Sequence, residues 1–167
     1  MSLHSFQQSV TDPIEFGGDP AHASEVIEYP STPLTPEQVT ALSSLCDTST
    51  DASDRAHHGR DWWPLSLSWS LQNRVPSIPF VVCRPTSTAQ VSALLAYCNS
   101  QSIPVTPSGG RSGVCGAAIP LAGGVALDMT LMQGIESVDE TSGIIEVLAG
   151  TFGPDVEESA RQYGLTV

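Results

Sequence analysis

From residue 79 onward, apolar and polar positions fall into a regular order. "PFVVCR" (79–84) is a short continuous apolar run, the pattern of a strand buried on both faces. In the following "PTSTAQVSALLAYCNSQ", Thr88 stands where a helix cap belongs, and Val91, Leu94, Leu95 and Cys98 fall at i, i+3, i+4 and i+7 to make one apolar stripe. "SIPVTP" (102–107) reads as a second strand. Strand, helix, strand predicts a βαβ unit, its strands parallel and its crossover right-handed. "GGVALDMTLM" (123–132) is a tight turn into a strand that ends near Asp128. Residues 134–150 predict a hairpin, with Ile135 and Val138 on one arm, a polar "DETSG" turn, and Ile145, Val147 and Ala149 alternating on the other. "TFGPDVEESARQYG" (151–164) predicts a helix with Pro154 near its start, Asp155, Glu157 and Glu158 in its first turns, and Val156, Ala160 and Tyr163 as its stripe. "LTV" then opens another strand.

Upstream, the periodicity fades. Residues 1–56 are rich in Ser, Thr, Pro and acidic side chains, and predict an extended, partly mobile arm. Its one clear helix is "TPEQVTALSSLC" (35–46), opening with Thr35 as cap and Pro36 at the first helical position. Residues 57–78 hold all three tryptophans, Trp62, Trp63 and Trp69, which are expected to pack the arm onto the body. His57 and His58 are adjacent, point in different directions and have no third ligand nearby, so they read as a solvated pair without a role. Three segments result: an arm (1–56), a connecting segment (57–78) and a body (79–167).

Charge narrows the partners. The chain of 167 residues carries 18 Asp+Glu against 6 Arg, has no lysine, and has a net charge of −12. This argues against nucleic acid or an anionic membrane surface as main partner, since phosphate backbones draw on dense Lys/Arg. Without lysine there is no Walker P-loop and no Schiff-base chemistry. Cys46, Cys83, Cys98 and Cys115 are scattered, with no CxxC and no Cys/His cluster, which argues for reduced, mostly buried thiols and against a metal site. The opening "MSLHSFQQSV" lacks a basic, then apolar, signal pattern, and no apolar stretch approaches a membrane span, so the expectation is a soluble cytoplasmic protein.

The strongest chemical signal is "TPSGGRSGVCGAAIP" (106–120), which leaves the carboxyl end of the second predicted strand, where open α/β folds bind ligands. Gly109, Gly110, Gly113 and Gly116 can take φ > 0 and leave room for successive N–H groups to turn toward one anion. Ser112 adds a hydroxyl, and Arg111 adds a charge suited either to a diphosphate or to one of the many carboxylates. The spacing is not GxGxxG, because Arg111 stands at the second glycine, and a plain structural turn stays open as the alternative. Cys115 has no partner thiol or base beside it and reads as a small packing residue.

The order of these features resembles the first half of the FAD-binding domain of the vanillyl-alcohol oxidase/p-cresol methylhydroxylase (PCMH) superfamily. The resemblance is carried by the "P-T-S-T-x-x-V" helix, the "I-P-V-x-P-x-G-G-x-S" loop, the "G-G-V-x-L-D-M" strand, the "V-D" hairpin, "A-G" and "G-L-T-V". The tryptophan-rich lead-in and "AGTFGPDVE" look most similar to bacterial proteins related to alkyl-dihydroxyacetone-phosphate synthase, and glycolate and D-lactate dehydrogenase-type flavoproteins share most of the pattern. The resemblance implies an α+β fold with a βαβ start: the first subdomain of a PCMH-type domain, truncated, preceded by a mostly irregular and helical arm. It further implies that Pro107, Ser108, Gly109, Gly110, Arg111, Ser112 and Gly113 wrap the FAD diphosphate. Some relatives carry a flavin-bonding histidine at the position of Arg111. An arginine cannot form that bond, so noncovalent FAD is expected. The second subdomain, the cap domain and the catalytic residues would lie outside this chain, along with the small-molecule substrate site, and a fragment ending in a strand would offer an edge for self-association. Three functions stay open: an FAD-dependent oxidoreductase or ether-forming synthase, a non-catalytic phosphate or nucleotide-binding module, and an acidic interaction module.

Overall fold

The computed structural model describes residues 14–167; the opening "MSLHSFQQSV" lies outside the described residues. A 3-10 turn at Pro20–His22 leads into strand β1 (Ser24–Glu25), helix α1 (Pro36–Leu45), β2 (Asp47–Ser49), α2 (Ala52–His57), α3 (Pro64–Ser70) and β3 (Arg74–Val75). Then follow β4 (Val81–Arg84), α4 (Thr88–Gln101), β5 (Val105–Ser108), β6 (Val125–Asp128), β7 (Ile135–Asp139), β8 (Ile144–Val147) and α5 (Gly153–Arg161). Helix and strand are mixed in one α+β fold.

The central sheet has the order β2-β4-β6-β5. β4 and β5 both run parallel to β6, which inserts between them, and β2 closes one edge antiparallel. The predicted βαβ strands are therefore parallel without being neighbours. Val81, Cys83, Val125 and Leu127 project from one face of this sheet into a core completed by Leu42 and Cys46 from the α1 segment and by Leu94 and Cys98 of α4. Val82 and Ala126 are buried on the opposite face, as the continuous apolar run predicts. Burial pushes the Cys83 thiol up to about 12 and the Cys98 thiol up to about 11, so neither is a nucleophile near neutral pH.

Helix α1 starts as its sequence predicts. Thr35 Oγ1 accepts from the Gln38 N–H at 3.3 Å while Gln38 Oε1 accepts from the Thr35 N–H at 2.9 Å, a reciprocal capping box. Helix α4 is capped one residue earlier than expected: Ser87, in extended conformation, accepts from the Gln90 N–H, and Thr88 is already helical. Of the predicted α4 stripe, Leu94 and Cys98 are buried and Val91 is partly buried, but Leu95 is 43% exposed because the helix turns it away from the sheet. The hairpin forms as β7 and β8, with the Asp139 carboxylate accepting from the Thr141 and Ser142 N–H groups in its turn. Of the predicted last stripe, Ala160 is buried in α5 while Tyr163 lies past the helix end and is 45% exposed, and residues 165–167 form no strand.

The segment read as an extended arm carries more structure than its composition shows. α1 and β2 belong to the central core and sheet, and β1 pairs in parallel with β3 as a separate ribbon.

Candidate functional site

The three parallel strands end together, and their last residues are Arg84, Asp128 and Ser108. Ser108 pairs in register with Asp128, and the ladder continues as the Met129 N–H donates to the Ser108 carbonyl at 2.8 Å. The glycine-rich loop leaves from this carboxyl edge.

Pro107 is exposed at the end of β5, and Ser108 is buried with no hydrogen-bond partner for its Oγ. Gly109 is partly buried; Gly110, Ser112 and Gly113 are exposed; Arg111 is partly buried. The expected backbone geometry is redistributed. Gly116 takes φ +80°, but Gly109, Gly110 and Gly113 stay out of the left-handed region, and the left-handed residue among 107–113 is Arg111 at φ +53°. At Gly110 the requirement is space instead: a Cβ there would stand 2.9 Å from Cε1 of Phe152. A non-glycine residue at positive φ is uncommon and marks a place where surrounding contacts hold the chain.

One such contact comes from the tryptophan segment. The Trp62 N–H donates to the Arg111 carbonyl at 3.2 Å and to the Gly113 carbonyl at 3.0 Å, strapping the loop to α3's lead-in. Among the described residues, no backbone N–H from Gly109 to Ala118 donates to a protein acceptor. The Arg111, Gly113 and Gly116 carbonyls accept hydrogen bonds while the N–H groups have no protein acceptor, which leaves a row of donors suited to an anion. Trp63 and Trp69 pack edge to face with ring centroids 5.6 Å apart, as expected of packing residues, whereas the Trp62 side chain is 61% exposed. Cys115 is exposed, which overturns its reading as a packing residue.

Beneath the loop lies a buried ion-pair cluster that the sequence did not announce. His58, read as solvated, is 3% exposed: its Nε2 lies 2.9 Å from Asp128 Oδ2 and its Nδ1 2.8 Å from the Asp54 carbonyl. His57 is also not solvated, since its ring packs edge-on to Phe16 at 5.0 Å. Arg84 Nη2 donates to Asp54 Oδ1 at 2.6 Å, and Arg84 Nε lies 3.4 Å from Asp128 Oδ2. Arg111 Nη1 reaches the same carboxylate oxygen at 3.9 Å and, buried, makes no hydrogen bond of its own. Burial alone would raise the Asp128 pKa, but the His58 hydrogen bond and the Thr130 N–H (2.9 Å to Oδ1) outweigh it and hold the carboxyl well below its usual range. The signal that could have found His58 is its place at the end of a capped turn, where Asp51 accepts from the Asp54 N–H, but six residues are too few to show a helical period.

Comparisons with known proteins give the family and the fold. A family model described as an FAD binding domain matches residues 79–167. A D-lactate dehydrogenase of Anaerostipes hadrus is 37% identical over 87 residues, covering 52% of this chain and 18% of that protein. Among solved structures, an alkyldihydroxyacetonephosphate synthase superposes with TM-score 0.75 at 19% identity over 97% of this chain and 31% of its own. P-cresol methylhydroxylase superposes with TM-score 0.63 at 19% identity over 77% of this chain and 25% of its own. The chain thus spans less than a third of the length of each of these relatives.

Proposed function

The chain belongs to the FAD-binding domain family whose model matches residues 79–167, its cofactor is FAD, and from that premise we propose that residues 107–113 hold the FAD diphosphate noncovalently. The fit rests on the loop itself. Its N–H groups from Gly109 to Ala118, the buried Oγ of Ser108 and the Nη1 of Arg111 are all donors, and none of them makes a hydrogen bond within the protein. A diphosphate supplies the acceptors they need. The missing Cβ at Gly110 keeps the approach open between the loop and Phe152. Arg111 carries charge but no nucleophilic ring nitrogen, so the flavin is retained without a covalent bond.

Bound FAD supplies two-electron redox chemistry, and the protein accordingly works as a flavin-dependent oxidoreductase or a related synthase. The 37% identity to a D-lactate dehydrogenase favours a 2-hydroxy-acid substrate. The ether-forming alternative rests on fold similarity alone. No catalytic residue is assigned within this chain. No helix among the described residues is long and apolar enough to cross a membrane. The free, buried Cys46, Cys83 and Cys98 are in keeping with a reducing cytoplasm.

The test is direct. The protein is purified, its visible spectrum recorded, and the protein precipitated with acid. FAD released into the supernatant supports noncovalent binding, and flavin in the pellet overturns it. A colourless protein that takes up no added FAD leaves the non-redox anion-binding module. Gly110→Val, which drives a branched side chain into the Phe152 ring, is expected to abolish flavin retention while the far-UV circular dichroism of the core persists; unchanged flavin content would remove the loop from the site.

A further inference from the structure

Arg111 is an anomaly in three respects. It occupies the left-handed region without being glycine, its guanidinium is largely withdrawn from solvent with an Nη1 that makes no hydrogen bond, and it does this in a chain of net charge −12. An arginine free to choose would swing outward, and in so acidic a protein it would find a surface carboxylate. The acceptor nearest its Nη1 is instead Asp128 Oδ2, at 3.9 Å. That oxygen already faces His58 Nε2 at 2.9 Å and Arg84 Nε at 3.4 Å, and Arg84 is itself committed to Asp54 at 2.6 Å. Arg111 is thus tethered by Asp128 but not saturated by it. Its remaining donors and its charge stay available under the loop whose N–H groups are free.

We infer that Asp128 is a positioning residue for the cofactor loop: it holds the Arg111 guanidinium beneath residues 109–113, where its charge meets the diphosphate, and does so from a sheet edge stiffened by His58 and Arg84. This rests on the assignment of the loop to the diphosphate. Arg111 is the contact and Asp128 acts through it. The Trp62 strap on the Arg111 and Gly113 carbonyls fixes the same turn from the main-chain side, so side chain and backbone of Arg111 are restrained independently.

A double-mutant cycle on the full chain tests the inference, with FAD as the probe and quenching of its fluorescence on titration with apoprotein as the measurement. Arg111→Gly suits the left-handed backbone, so its melting temperature is expected to hold while FAD binding weakens about tenfold or more, the worth of a charge-assisted contact. Asp128→Asn is expected to weaken FAD binding when Arg111 is present and to leave it unchanged in the R111G background. Asp128→Glu keeps the buried charge but displaces the carboxylate, is expected to weaken FAD binding by a smaller factor when Arg111 is present and by none in the R111G background, and gives the same comparison if the asparagine variant does not fold. The inference is overturned if Arg111→Gly binds FAD as tightly as the wild type, or if the Asp128 substitutions weaken binding by the same factor with and without Arg111. A wild-type protein that binds no FAD overturns the loop assignment itself, a different result from additivity in the cycle.

Discussion

Asp128 is where the charge arithmetic of the molecule concentrates. Its carboxylate sits 4% exposed and is held below the usual range against the opposing effect of burial by His58 and the Thr130 N–H. A carboxyl whose folded pKa is depressed contributes stability that is fully present above its unfolded pKa, and the contribution is lost as pH falls toward the folded value. Stability is therefore expected to decline as pH drops below about 4, the ordinary Asp value, and His58→Leu, which removes the hydrogen-bond donor, is expected to flatten that decline. Urea midpoints measured through this range check it; an identical slope in the variant would release Asp128 from the account. Neither partner was legible from its neighbourhood. His58 and Asp128 lie 70 residues apart, and adjacent histidines in a segment without periodicity carry no sign of burial. The loop residues were legible as a group, because glycine density after a strand has a physical meaning, but the division of labour among them was not. Glycine composition cannot tell a position chosen for positive φ from one chosen for clearance, as Gly116 and Gly110 respectively require.

At the scale of elements, what could be read depended on length and burial. β4, β6 and α4 showed because a strand buried on both faces is a run and a helix of 14 residues repeats its period. β2 did not, since its three residues "DTS" are polar and its place at a sheet edge demands no apolar alternation. The order β2-β4-β6-β5 was equally hidden, because chain order does not state which strand inserts between two others. α1 was visible as a helix but not as part of the core. Leu42 is fully buried there, packed in one cluster with Val81, Cys83 and Leu94. Leu42→Ala is expected to cost about 2–5 kcal/mol, the range for a buried leucine truncated in a packed core. A loss below about 1 kcal/mol in chemical denaturation would return α1 to the periphery.

At the scale of the molecule, the family match and the folded unit differ in extent. The match begins at residue 79, yet the sheet edge beside β4 is β2, and the core beneath β4 and β6 is completed by Leu42 and Cys46. Asp54 and His58, the partners of Arg84 and Asp128, also precede residue 79. Cutting there would bare the backbone edge of β4, open the apolar face of Val81, Cys83 and Leu94, and leave Arg84 and Asp128 without their shared partners in a partly dry site. Each is unfavourable alone: an exposed strand edge invites pairing with other chains, and a buried charge stripped of its partner destabilises by about 3–5 kcal/mol. Residues 79–167 expressed alone are therefore expected to associate on size-exclusion chromatography and to lack a cooperative urea transition, whereas residues 14–167 unfold in one step. The same comparison bears on cofactor binding, because the strap from Trp62 to the Arg111 and Gly113 carbonyls is lost with the same cut. If the shorter piece unfolded cooperatively at the midpoint of the longer one, α1, β2 and the tryptophan segment would be ornaments on a self-sufficient domain, and the ion-pair cluster would have no part in holding the loop.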